Sequence, residues 1–212
     1  MNNITFDKGT NAKHKKEDIE WLRIWCEDTN NEHLPRIALV GDSITEGYYP
    51  FVRDSLKEVA KVDYLATSYS ISSDMYCNTV KNFIKDSDYV VVHYNYGLHG
   101  YVVDEQVYER CCREILQQIL SSTSVILATT TTVLDESLRE EKASWSDKVQ
   151  ARNEKLVSLA REFNLRLDDL CALCGTFDIS MRDFDGVHFD EHGYRVLANS
   201  VSQSIRKELE IN

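Results

Sequence analysis

Arg36-Ile37-Ala38-Leu39-Val40-Gly41-Asp42-Ser43-Ile44-Thr45-Glu46-Gly47 is the stretch on which the fold turns. The apolar run Ile37 to Val40 predicts a strand buried on both faces, as in a parallel sheet. A polar turn follows, and residues 46 to 59 carry a helical pattern. Ser43 therefore stands at the carboxyl end of a strand, the edge where open α/β sheets bind ligands.

The strand-helix alternation continues downstream. Val62 to Thr67, Tyr89 to His93, Val125 to Thr130 and Leu165 to Leu167 are expected strands. Ser73 to Ile84, residues 104 to 121, 144 to 163 and 191 to 209 are expected helices, the last with Tyr194, Leu197, Val201 and Ile205 on one face. This order implies βαβ units and a parallel sheet covered by helices on both sides. Upstream, residues 16 to 28 read as an amphipathic helix with Ile19, Leu22 and Cys26 on one face. Residues 1 to 14 read as a loose arm, and 15 to 212 as a single domain. Residues 134 to 146, rich in Asp, Glu, Ser and Lys, read as a solvated loop.

A chain of 212 residues, 42% hydrophobic, can bury a sizeable core. Its net charge of −11 disfavours nucleic acid and anionic membranes, which would repel it. No stretch approaches the roughly 18 apolar residues of a membrane helix, and the first residues show no apolar signal segment. A cytoplasmic protein is the expectation. Six cysteines then read as free thiols. Cys171-x-x-Cys174 has metal or redox spacing but lacks a second pair, so no metal or other cofactor is expected.

The chemistry-bearing residues lie at the two ends of the domain. A serine hydroxyl needs a base within hydrogen-bond reach, and the base needs an orienting group. Asp185-Gly186-Val187-His188 supplies both, with His188 as base and Asp185 as its partner, just before the last helix. Asn95, after the third strand, is a candidate oxyanion donor. The Ser43 N–H at a helix start is a second, and the loop from Ser70 to Asp74 offers a third. The Gly-x-Ser-x-Gly elbow of the α/β-hydrolases is absent, because Thr45 stands where the second glycine would be.

Gly41-Asp42-Ser43-Ile44-Thr45-Glu46-Gly47 resembles the first block of the SGNH hydrolases, the GDSL esterase/lipase family. Tyr94-Asn95-Tyr96-Gly97-Leu98-His99-Gly100 is similar to the asparagine block, and Asp185-Gly186-Val187-His188 to the final Asp-x-x-His block. The blocks stand in family order across roughly residues 34 to 212. The resemblance implies a flavodoxin-like three-layer α/β/α sandwich with a five-stranded parallel sheet. It implies an acyl-enzyme mechanism with Ser43 as nucleophile, His188 as base, Asp185 as its partner and Asn95 in the oxyanion hole. Two departures stand out. Ser73 replaces the glycine whose N–H completes that hole, and His93 replaces the first glycine of the asparagine block.

The expected substrate is a small-molecule ester, with a short acyl group such as acetyl on a carbohydrate or another small polar molecule. Tyr48, Tyr49, Tyr94, Tyr96, His99, Tyr101 and Thr129 to Thr132 are expected around the site, where hydroxyl-bearing aromatics would suit such ligands. Asp42, Tyr96 and His99 are expected to contact substrate. A non-catalytic binder on the same fold and an acyltransferase using the same residues are the alternatives.

Overall fold

The structure, a computed structural model, describes residues 16–134 and 145–210. Six strands form one sheet: β1 (Leu22–Trp25), β2 (Arg36–Gly41), β3 (Lys61–Thr67), β4 (Tyr89–Tyr94), β5 (Ser124–Ala128) and β6 (Arg166–Asp168). The helices between and after them are α1 (Ser43–Leu56), α2 (Asp74–Asp86), α3 (Glu105–Ile119), α4 (Trp145–Glu162), α5 (Leu170–Cys174) and α6 (Glu191–Glu208). The spatial order is β1-β3-β2-β4-β5-β6. The five strands from β2 to β6 pair in parallel, in the flavodoxin-like order.

The period of two along β2 makes the three layers. Ile37 and Leu39 point to one face, where they pack with Tyr48, Val52 and Leu56 of α1 and Leu197, Val201 and Ile205 of α6. Ala38 and Val40 point to the other, against Tyr76 of α2, Tyr108 and Leu116 of α3 and Leu156 of α4. Each fully buried Leu or Ile contributes about 1.5–3 kcal/mol.

One expected element is corrected. The segment expected to be a helix over 16 to 28 contains instead β1, antiparallel to β3, with Leu22 opposite Thr67 and Trp25 opposite Tyr64. All four β1 residues are exposed, so no buried stripe is available to hold a helix there. The open edge of β3 offers backbone partners, and the aromatic and β-branched residues of Leu22-Arg23-Ile24-Trp25 suit a strand. The sheet thus has six strands, five of them the parallel set expected. The short α5 and a 3-10 turn over Ile179–Met181 are additions. The expected arm over 1 to 14, and residues 135–144 of the expected loop, lie outside the described residues.

Parallel strands put all their carboxyl ends on one edge. Ser43 follows β2, Asn95 follows β4 and Thr129 follows β5, so these three gather where the sheet opens.

Candidate active site

Ser43 is the first residue of α1. Asp42 caps the helix, its Oδ1 accepting from the Ile44 N–H at 3.0 Å. The Ser43 hydroxyl therefore sits at the positive end of the helix. The turn is tight: a Cβ at Gly41 would strike Thr45 Oγ1 and the Asn95 carbonyl oxygen. Only glycine lets β2 and the segment after β4 approach this closely.

The partners of Ser43 come from a hairpin-like loop before α6. Arg182 and Phe189 bridge in antiparallel fashion, and the Asp183 N–H donates to the His188 carbonyl at 2.9 Å. Gly186 turns the chain at φ +70, a conformation that favours glycine. Arg182 pins the loop to the end of β5 by donating to the Thr132 carbonyl at 2.6 Å, and stacks over the Phe189 ring at 4.3 Å. The Leu134 N–H adds a bond to the Gly186 carbonyl at 2.9 Å.

This loop brings His188 Nε2 to 2.8 Å from Ser43 Oγ and His188 Nδ1 to 2.5 Å from Asp185 Oδ2. Asp185 Oδ1 accepts from the N–H groups of Val187 and His188, each at 2.9 Å. Partial burial works to raise the Asp185 carboxyl. The bonds from the His188 ring and the two backbone N–H groups outweigh it and hold the group below its ordinary value. The side chains of His188 and Asp185 are each 36% exposed, so the Ser43–His188–Asp185 series is open to a ligand.

Asn95 is buried beside Ser43's strand end, with its N–H donating to the Val40 carbonyl at 2.9 Å. Its Nδ2 makes no ordinary hydrogen bond among the described residues, leaving donors for an incoming oxyanion. Ser73 is different. It is the cap of α2, with its Oγ accepting from the Tyr76 N–H at 3.0 Å, and its own N–H donates to the Ser70 carbonyl at 2.9 Å. The oxyanion donor expected of Ser73 is therefore already used within the turn.

The residues expected to contact substrate need correction. Asp42 is 1% exposed, and burial raises its carboxyl above the ordinary value. Tyr96 is fully buried: its hydroxyl donates to the Tyr69 carbonyl and its ring stacks on Tyr76 at 4.4 Å. Tyr48 and Tyr94 are also fully buried, and Tyr49 and Thr129 to Thr131 nearly so. A phenol that finds an internal partner, as Tyr94 does with Tyr76 at 2.7 Å, is held in the core instead of on the rim. His99 does reach the rim. Its Nδ1 lies 2.9 Å from Glu17 Oε2, and the Gly100 N–H donates to Glu17 Oε1 at 2.8 Å. Trp21 meets the His99 ring edge-on.

Arg152 of α4 fixes the same loop from below. Fully buried, it donates to the carbonyls of Gly97, His99 and Gly100 at 2.7, 2.9 and 2.6 Å and stacks on Tyr108. The sequence carries a signal for it: a cation among Val149, Leu156 and Leu159 on the buried side of a helix. Cys171 and Cys174 are free thiols, with Cys174 Sγ receiving the Thr132 N–H at 3.2 Å.

No family model matches the chain, and no curated protein matches its sequence. Solved structures do match. A lipase/acylhydrolase from Enterococcus faecalis superposes with a TM-score of 0.68 at 16% identity, over 82% of this chain and 96% of that one. A GDSL-like lipase from Bacteroides thetaiotaomicron gives 0.67 at 15% identity, over 81% and 88%. An acetyl xylan esterase from Geobacillus stearothermophilus gives 0.63 at 16% identity, over 81% and 94%. The chain has the fold of the GDSL/SGNH hydrolases.

Proposed function

We propose that the chain is an SGNH-family serine esterase that cleaves short acyl esters, acetyl above all, of carbohydrates or other small polar molecules. The observation that carries this is the hydrogen-bonded series Ser43 Oγ, His188 Nε2, His188 Nδ1, Asp185 Oδ2.

His188 Nε2 takes the Ser43 proton as Oγ bonds to the ester carbonyl carbon. The carbonyl π electrons move to oxygen, where the Asn95 amide and the Ser43 N–H stabilise the charge. The oxyanion collapses, the bond to the alcohol oxygen breaks, and His188 returns its proton to that oxygen. Water, deprotonated by His188, then opens the acyl-Ser43 ester by the same steps and releases the carboxylic acid. Asp185 holds His188 in the tautomer with hydrogen on Nδ1 and stabilises the imidazolium throughout.

The likeness to an acetyl xylan esterase supports the acetyl and carbohydrate part. The rim supports a polar ligand, since His99 and Glu17 face it and Phe184 is the one large exposed aromatic beside Asp185. No described helix is long and apolar enough to cross a membrane, and all six cysteines are free, which suits a reducing cytoplasm.

The used N–H of Ser73 favours a second class, a non-catalytic binder. Intact mass after fluorophosphonate treatment separates the two. The esterase gives one adduct on wild type and none on Ser43→Ala, and a panel of acetyl, butyryl and longer esters then measures acyl length. A folded wild type that takes no adduct overturns the esterase.

A further inference from the structure

A second buried chain of polar groups runs beneath the site and touches none of the residues that would meet substrate except one. It begins on α6, where Ser200 Oγ donates to Asp168 Oδ1 at 2.7 Å. Asp168 Oδ2 lies 3.1 Å from His93 Nε2. His93 Nδ1 lies 3.5 Å from the Tyr48 hydroxyl, whose ring meets the imidazole edge-on. The Tyr48 oxygen is 3.0 Å from Thr45 Oγ1. His93, Tyr48 and Thr45 are all fully buried, and Asp168 is 4% exposed.

The carboxylate sets the direction of every proton in this chain. An ionised Asp168 only accepts, so His93 carries its hydrogen on Nε2. Neutral imidazole then accepts at Nδ1, and the Tyr48 O–H points at it. That leaves the Tyr48 oxygen's lone pairs for donors on its other side. One is the Thr45 hydroxyl. The other is the Asn95 amide, which acts on Tyr48 as a donor from just outside ordinary hydrogen-bond geometry. Asn95 Nδ2 carries two hydrogens. If the Tyr48 oxygen holds one, the amide plane is fixed and the other is aimed at the reacting carbonyl.

We propose that His93, held by Asp168, is a positioning residue for the Asn95 amide, acting through Tyr48. The inference rests on the esterase assignment for its kinetic consequence but not for the coupling itself. His93 stands where a glycine is usual in the blocks this sequence resembles, and the chain it anchors supplies an orientation that a glycine could not.

The test uses the full-length protein with His93→Phe, Tyr48→Phe and His93→Gln. Tyr48→Phe removes a single hydroxyl and leaves the His93–Asp168 pair intact, so it serves where His93→Phe fails to fold. The first readout is the 15N–1H signal of the Asn95 side-chain amide in the resting protein. It shifts in Tyr48→Phe and His93→Phe and returns towards the wild-type position in His93→Gln. The second is p-nitrophenyl acetate turnover, in which kcat falls about tenfold with KM held within about twofold, because orientation and not binding is lost. An unmoved Asn95 signal in folded Tyr48→Phe overturns the proposal, as does an unchanged kcat in an active protein. A wild type that neither turns over ester nor labels at Ser43 defeats the esterase assignment alone, and the amide signal still decides the coupling.

Discussion

Asp185 grips His188 twice, its Oδ1 accepting from the backbone N–H and its Oδ2 from ring Nδ1. One carboxylate thus fixes both the position of the residue and the rotation of its ring. Asp185→Asn keeps the shape but puts an NH2 or a single weak acceptor opposite Nδ1. The tautomer with hydrogen on Nε2 is then favoured, and it cannot take the Ser43 proton. Turnover of p-nitrophenyl acetate should fall by on the order of 10³–10⁴ with KM little changed. Retained kcat would remove Asp185 from the mechanism.

Arg152 has no carboxylate partner among its printed bonds; its charge is met by the carbonyl oxygens of Gly97, His99 and Gly100. Arg152→Met retains most of the packing volume and strands those three acceptors. Urea denaturation should show a loss of ~3–5 kcal/mol, from unmet buried carbonyls at roughly 1–3 kcal/mol each.

Asp168 gives a pH prediction. Burial acts to raise its carboxyl, and the bonds from His93 and Ser200 outweigh that and hold it low. A depressed folded pKa means a contribution to stability that is complete above the unfolded value, about 3.9, and lost as pH falls through the folded one. The stability gap between wild type and Asp168→Asn should therefore be constant from pH 7 to about 5 and narrow below about 4. Urea midpoints across that range check it, and a gap that widens in acid would contradict the assigned direction.

Gly41→Ala tests the close approach of β2 to the segment after β4. The added methyl meets the Asn95 backbone carbonyl, which cannot rotate away. Destabilisation of about 1–3 kcal/mol is expected, together with a drop in ester turnover, since relief of the clash moves either Ser43 or Asn95. Unaltered melting and kinetics would show that the junction is looser than described.

Periodicity made the parallel sheet legible because strands buried on both faces have no polar alternation to obscure them. Ile37 to Val40 and Tyr89 to Tyr94 are of that kind. It misled at Leu22 to Trp25, where the segment buries nothing and the deciding partner, the free edge of β3, lies far along the chain. At the site, residue types at strand ends located Ser43, Asn95 and the Asp185–His188 pair. Which donors remain free is a different matter. Sequence shows that Ser73 has an N–H, but only the turn shows that Ser70 takes it. The tyrosines failed for a related reason, since a phenol suits rim and core alike until its hydroxyl's partner is known.

Glu17 stands 82 positions before His99, and its carboxylate holds both that ring and the Gly100 N–H. One wall of the pocket is therefore built from the beginning of the chain. An affinity tag fused upstream, or a trimmed start chosen to aid expression, would act on this protein as a mutation of its binding site. Recombinant versions that differ only before Trp21 should be compared for ester preference before any is adopted as the reference protein.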